Sequence, residues 1–371
     1  MASALKPALL IDGKEHADWT SYTIDSDLMI PADAWSFAVG PVLGELPKQL
    51  VEGKEVKVKM GGEVVMVGRI DTMTHEVSRQ GRSLNLTGRD GAAVLLDCSG
   101  PIFVSKQTTL DEVIAKVVRP LGVSKHRIDA DKTLPREKIN VEPGENAWDT
   151  LQHAAEANGL WPWFTPDGTL VVGRPDYTQK PVATLVLKLD GRENNLVSLA
   201  ESRDISRRYS EVTVLGQSHG TASETGKHNL KTTVKDNGLT WHRPRIITDH
   251  EADTVAVAQA RGRKLIADAR LNGYTLSATV DGHAVDPAAA KPTLWTPGQR
   301  VQLISEPHGI DAVFFLMARK FTGGRDRPSR TILTLKEDGI WQLEAHPHTR
   351  KHRRGKNSTP GKIIDVSGAA P

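Results

Sequence analysis

From Glu55 the chain alternates strictly, with Val56, Val58 and Met60 on one side and Glu55, Lys57 and Lys59 on the other. A period of two belongs to a strand with one buried and one wet face. Gly61-Gly62 supplies a two-residue hairpin turn, since glycine accepts the positive φ such turns need. The return strand, Glu63 to Ile70, is more continuously apolar, as a strand nearer the centre of a sheet would be. Arg79-Gln80-Gly81-Arg82 marks another turn, and Leu84 and Leu86 face one way along a third strand. Gly88-Arg89-Asp90 is expected to break that strand, with Asp90 as N-cap of a short helix carrying Ala92, Ala93, Leu95 and Leu96. A meander of this kind, running to Ser99, commits the chain to a β-rich fold.

The flanking sequence extends the plan. Upstream, Ala8 to Ile11, Trp19 to Ile24 and Trp35 to Val39 read as strands, with a hairpin at Asp12-Gly13 and a loop from Gly40 to Gly53. Residues 1–99 are thus expected to form an N-terminal β-barrel. After Gly100-Pro101 the period lengthens to 3.6. Thr109-x-x-Glu112 is a capping box, Leu110, Val113, Ile114, Val117, Val118 and Leu121 share a face, and Gly122 closes the helix. A linker with Asp129, Asp131 and Pro135 leads to a second helix near Asn146 to Asn158, then a hairpin turning at Pro166-Asp167-Gly168. Residues 100–177 therefore read as a small α/β module of two helices and a hairpin.

Strands recur at Thr184 to Leu187, Leu196 to Ala200 and Ser210 to Leu215, and again at Tyr274 to Val280, Arg300 to Ile304, Ala312 to Lys320 and Thr331 to Lys336. Turns are expected at Pro297-Gly298 and Gly323-Gly324. Residues 178–216 and 274–344 are assigned to a second β-barrel, with 217–273 as a connector between its halves. In that connector Gln217 to Asn237 reads as a long mobile loop, and Thr248-x-x-Glu251 as the capping box of a helix with Val255, Ala258, Leu265 and Ala269 at helical spacing. Residues 345–371 read as a basic flexible tail. The fold class is β-rich α+β.

Several chemistries are disfavoured. The single cysteine, Cys98, excludes an intrachain disulfide and a thiolate metal cluster, and its neighbours Leu95 and Leu96 suit a buried structural thiol. The short run Leu9-Leu10-Ile11 is no signal peptide, and no apolar run approaches the roughly 18 residues of a membrane span. Synthesis and folding in a cytoplasm are expected. The net charge of +3 resides in the tail, where Arg350, Lys351, Arg353, Arg354 and Lys356 cluster; without them 43 basic residues face 45 acidic ones. The weakly acidic body does not suit general nucleic-acid binding. Ser218-His219 lacks a nucleophile elbow, and Gly323-Gly324-Arg325 lacks the lysine of a phosphate loop. The pairs Asp71/Glu76 and Asp129/Asp131 meet a glycosidase's need on spacing alone, as solvated carboxylates often do. His346, His348 and His352 would capture a metal weakly without using it. No catalytic residue, cofactor or functional metal site is expected.

The string VGRIDTMTHEV…LNLTGRDGAAVLLDCS resembles the N-terminal barrel of the baseplate hub protein of Mu-like contractile-tailed phages, within the tail hub and late control protein family. ENAWDTLQHAAEANGLWPWFTPDGTLVV, ISRRYSEVTVLGQ, HRPRIITDHEADTVAVAQARGRKLIADAR and LWTPGQRVQL follow in the family's order. The motif residues carried over are Gly88, Arg89, Asp90, Arg243 and Pro244, and the basic tail is offered as a partner-contacting segment. The resemblance implies a homotrimeric ring whose six barrels meet a sixfold tail tube above and a membrane-piercing spike below, with wedge proteins around it. It implies a place in the virion baseplate. Two alternatives are a tail-associated cell-wall hydrolase and the hub domain of a type VI secretion spike, but no β-helical spike repeat is present.

Overall fold

The computed structural model describes residues 5–341 apart from 43–49, 80, 102–103, 131–135, 141–143, 157–158, 217–229, 250–251, 253 and 290–291. The first β set comprises β1 (Pro7–Ile11), β2 (Lys14–His16), β3 (Ser21–Asp27), β4 (Ala34–Val42), β5 (Glu55–Met60), β6 (Glu63–Ser78) and β7 (Gly81–Asp90). Asp12 and Gly13 between β1 and β2, and Gly61 and Gly62 between β5 and β6, all take positive φ, the conformation tight hairpins demand. Then come α1 (Ala93–Asp97), β8 (Val104–Thr108), α2 (Leu110–Val113), β9 (His126–Ile128), β10 (Arg136–Asn140), α3 (Ala147–Glu156), β11 (Trp161–Phe164) and β12 (Leu170–Gly173). The chain continues through β13 (Ala183–Leu187), β14 (Ser198–Arg203), β15 (Glu211–Gly216), β16 (Leu230–Lys235), β17 (Pro244–Thr248) and α4 (Val255–Gly273). It closes with β18 (Tyr274–Asp281), β19 (Arg300–Ser305), β20 (Ile310–Gly324) and β21 (Arg327–Glu337).

The fold is β-rich α+β, with two barrel-like β regions, a small α/β module and a helix-containing connector. The two β regions are joined strand to strand. β3 pairs antiparallel with β20, from Ser21 opposite Gly324 to Asp27 opposite Ala318, so both regions belong to one 13-stranded sheet. A shared core follows, in which Trp35 and Phe37 belong to the same cluster as Leu316 and Leu335. The α/β module has its own core around Trp148, Leu151, Leu110 and Val113. In it Thr109 caps α2 by accepting the Glu112 N–H at 3.3 Å, one of the two bonds of a capping box. The helix then widens into a π turn at Ile114–Val118 and tightens to a 3-10 turn at Arg119–Leu121. Pro120 accounts for this, since it has no N–H and its ring clashes with the carbonyl one turn earlier.

Several expectations need correction. Gly88-Arg89-Asp90 does not break the third strand but forms its last three residues, with Gly88 opposite both Trp35 and Ile70. Ser210 to Leu215 does not join the second barrel; as β15 it lies between β16 and a parallel β17 in a separate sheet, against which α4 packs. Part of the expected loop, 230–235, is therefore a strand, while 217–229 lies outside the described residues. Thr248 ends β17, and α4 is capped instead by Thr254, whose Oγ1 accepts the Val257 N–H at 3.2 Å. Val255 consequently faces solvent, and Val257 is buried. Gly323 and Gly324 are strand residues held against β3, and the turn follows at residues 325–326. The expected linker holds the strand β9, paired parallel to β12. Cys98 is half-buried rather than buried. The tail with Arg350, Lys351, Arg353, Arg354 and Lys356, and its three histidines, lies outside the described residues.

Candidate functional site

The end of β7 is where the first β region meets the α/β module, and alternation sends neighbouring residues to opposite sides. Arg89 points outward and forks. Its Nη1 and Nη2 donate to the two carboxylate oxygens of Asp97 at 3.1 and 2.7 Å, and its Nε donates to Asp71 at 2.6 Å. One guanidinium thus ties β6, β7 and α1 together, and it holds the Asp97 carboxyl below its usual range. Asp90 points inward. Its Oδ1 accepts the Ala92 N–H at 2.9 Å, a bond that shapes the turn before α1. It does not cap the helix as expected, because Ala92 holds the cap position and has no side-chain cap bond. The glycines around this corner have no room for a side chain. A Cβ on Gly88 would lie 2.4 Å from the Trp35 ring, and one on Gly91 2.6 Å from the Phe164 ring of β11.

Asp90 is buried beside a half-buried second acid, Asp33. Its N–H donates to the Asp33 carbonyl at 2.9 Å, and burial with the neighbouring Asp33 charge pushes its carboxyl well upward. Burial likewise raises Asp33 to about 7, although Ser26 Oγ and the Asp27 N–H both donate to it. The β3–β20 seam carries a second buried network. Tyr22 Oη of β3 lies 2.7 Å from His283 Nε2, and the other ring nitrogen of His283 lies 3.0 Å from Thr331 Oγ1 on β21. Desolvation, reinforced by the charge of Arg319, lowers His283 to about 4, so the ring is neutral. Sequence reading missed Tyr22, His283, Asp33 and Arg319, which lie far apart along the chain and match no motif.

Arg243 and Pro244 sit at the start of β17. The Arg243 N–H donates to Ser210 Oγ at 2.8 Å, its Nη2 reaches the Ser206 carbonyl at 3.0 Å, and its guanidinium lies 5.0 Å from the exposed Trp241 ring. They lie in the connector, and the structure does not bring them together with Gly88-Arg89-Asp90 in one site. Of the carboxylates weighed for catalysis, Asp71 is held by Arg89 and Asp129 by Arg127 at 2.7 Å. No group of three or more His, Cys, Asp or Glu among the described residues is placed to hold a metal ion. Among the described residues no helix is long and apolar enough to cross a membrane.

The outer surface offers a strand edge. Pairing between β5 and β6 ends at Arg69, and from Asp71 to Ser78 β6 pairs with β7 alone among the described residues. This extension is wet on both faces apart from the half-buried Met73, and Val77 is 66% exposed. It contains neither lysine nor proline, residues that commonly blunt an open edge.

Four family models match the chain in order. Residues 7–90 match the N-terminal domain of Mu phage baseplate assembly proteins of the GpP-like kind, and 92–174 the second domain of baseplate hub proteins of the gp44-like kind. Residues 208–266 and 268–340 match the third and C-terminal domains of NMB1110-like tail proteins. The chain is similar to baseplate hub protein gp44 of Escherichia phage Mu, 25% identical over 366 residues covering 95% of this chain and 93% of that protein. The tail protein from Neisseria meningitidis MC58 is 39% identical with a TM-score of 0.81, covering 93% of this chain and 99% of that one. The 43 kDa tail protein of prophage MuSo2 from Shewanella oneidensis has a TM-score of 0.80 at 22% identity, covering 91% and 99%.

Proposed function

This chain belongs to the Mu-like family of phage tail and baseplate hub proteins, and on that footing we propose that three copies close into a ring joining a sixfold tail tube above to a trimeric membrane-piercing spike below. The observation that carries this reading is the β3–β20 seam, which makes two barrel-like regions one continuous sheet. A protomer with two barrels rigidly joined lets a trimer offer six similar faces to a sixfold partner, which resolves the symmetry mismatch without another protein. The open edge of β6 suits lateral contact in such a ring, where closure would remove an aggregation hazard.

In this reading the units are a first barrel, an α/β module, a second barrel and a connector, and Gly88-Arg89-Asp90 and Arg243-Pro244 are joints between them. The basic tail, Arg350, Lys351, Arg353, Arg354 and Lys356, reaches toward spike or tube. The protein is made in the host cytoplasm, assembles into the virion baseplate with spike, tube and wedge proteins, and works as a scaffold without catalysis. The alternatives are the hub domain of a type VI secretion spike and a cell-wall hydrolase, and against the hydrolase stand the ion pairs that occupy Asp71 and Asp129. Electron microscopy of the purified chain at high concentration tests the reading. Rings with six-lobed outlines are expected, and particles without threefold order would refute it. In parallel, the protein should leave peptidoglycan intact; lysis abolished by changing one acidic residue would establish the hydrolase instead.

A further inference from the structure

The two β regions repeat one plan. In the first, β3, β4, β7, β6 and β5 lie side by side in that order, every neighbouring pair antiparallel. In the second, β14, β18, β21, β20 and β19 do the same. The registers coincide as well. The long strand of each region slips by one residue against its hairpin partner, between Ile70 and Thr72 in β6 and between Leu316 and Ala318 in β20. Just before the slip, Arg69 faces Glu55 on β5 and Arg89 on β7, and Phe315 faces Arg300 on β19 and Lys336 on β21. Matched there, residues 72–78 of β6 correspond to 318–324 of β20. Carried across β4 and β18, where Trp35 faces Ile24 and Leu276 faces Glu201, the match sets residues 21–27 of β3 against 198–204, the stretch that holds β14.

The correspondence fails at one edge. Residues 318–324 of β20 are taken up by β3, whereas 72–78 of β6 have no second partner strand among the described residues. Likewise β3 lies between β4 and β20, whereas β14 pairs with β18 alone among the described residues. One chain thus holds one completed seam and the two unmatched halves of another, which do not pair with each other. We propose that β14 of one copy adds antiparallel to the extension of β6 in the next, repeating between chains the β3–β20 seam within each chain. The register follows from the match: Thr74 faces Ser202 of the next copy, His75 faces Glu201 and Val77 faces Leu199. The pairs are compatible, for the exposed Val77 meets the half-buried Leu199, and His75 meets a carboxylate. The contact is head to tail, a kind that closes into a ring when its rotation allows. Closure at three copies rests on the trimeric reading above.

Disulfide cross-linking between separately purified full-chain variants, each also carrying Cys98→Ser, tests this. Directly opposed residues of antiparallel strands have Cα atoms about 4.5–5.5 Å apart, within reach of a disulfide. Val77→Cys mixed with Leu199→Cys should give, on mild oxidation, a covalent dimer that neither variant forms alone. Val77→Cys mixed with Ala200→Cys should not, because successive strand residues point to opposite faces; equal cross-linking there overturns the register. If Leu199→Cys does not fold, Thr74→Cys with Ser202→Cys, both at exposed positions, reads the same register. A trimer in sedimentation without the cross-link overturns the strand pairing and spares the ring. A cross-link in a species other than a trimer upholds the pairing and overturns closure at three. A chain that stays monomeric overturns both.

Discussion

Arg89 and Asp90 are neighbours in sequence with opposite surroundings, and their substitutions should behave accordingly. Asp90 is buried, is pushed toward its neutral form, and satisfies the Ala92 N–H. Asp90→Asn keeps an acceptor and should cost little at pH 7. Asp90→Ala leaves a buried donor unpaired and should cost about 1–3 kcal/mol in urea unfolding. Equal losses in both variants would mean that Asp90 carries its charge in the folded protein. His283, buried, and Asp33, half-buried, give opposing pH effects. His283 titrates near 4 when folded against 6.5 ordinarily, so the unfolded chain binds more protons between those values. Its effect is therefore a loss of stability as pH falls from about 6.5 to 4, amounting to about 3 kcal/mol. Asp33 is raised from 3.8 to about 7, so the stability it contributes is present in acid and lost as pH rises through that window. His283→Gln should remove the acid-side decline and leave the Asp33 trend, which unfolding at pH 4.5 and pH 7 would reveal. A variant with the wild-type pH slope would contradict this assignment.

Among the elements, β7 depends on the absence of a side chain at Gly88. A Cβ there would lie 2.0 Å from the Arg69 carbonyl oxygen, so Gly88→Ala forces β6, β7 and Trp35 apart. A loss of about 3 kcal/mol or more is expected, read as a lowered urea midpoint. The free edge of β6 is a different case. Val77→Lys should leave monomer stability unchanged while reducing self-association, because a charged edge resists pairing; unchanged sedimentation would free that edge of the role proposed for it. How far each element was legible follows from what its sequence records. Val56, Val58 and Met60 alternate because one face is buried, and the helix after Thr109 was equally plain. The Asp71–Ser78 extension is wet on both faces, so no alternation marks it. Thr248 and Thr254 are both plausible caps locally, and only the pairing of Thr248 with Leu215 in β17 separates them. The β15–β17 sheet is held by long-range parallel pairing that leaves no local trace. For the same reason Tyr22 and His283, 261 residues apart, could not be seen as partners.

A trimeric ring with six similar faces needs the two β regions of each chain to act as one body. Tyr22→Phe tests that joint, since it removes the hydroxyl shared by His283 and Ser329; a loss of about 1 kcal/mol with intact quaternary structure is expected from denaturation and sedimentation together. Removing residues 345–371 should likewise leave the assembly intact, because the basic segment is placed outside the ring. Sedimentation equilibrium of the full chain over a wide concentration range decides whether the trimer forms. Three chains of 40.5 kDa each give a species of about 122 kDa, which should gain population as concentration rises. A species that stays at 40.5 kDa to the highest concentration, or that settles as a dimer or tetramer, would contradict the trimeric ring.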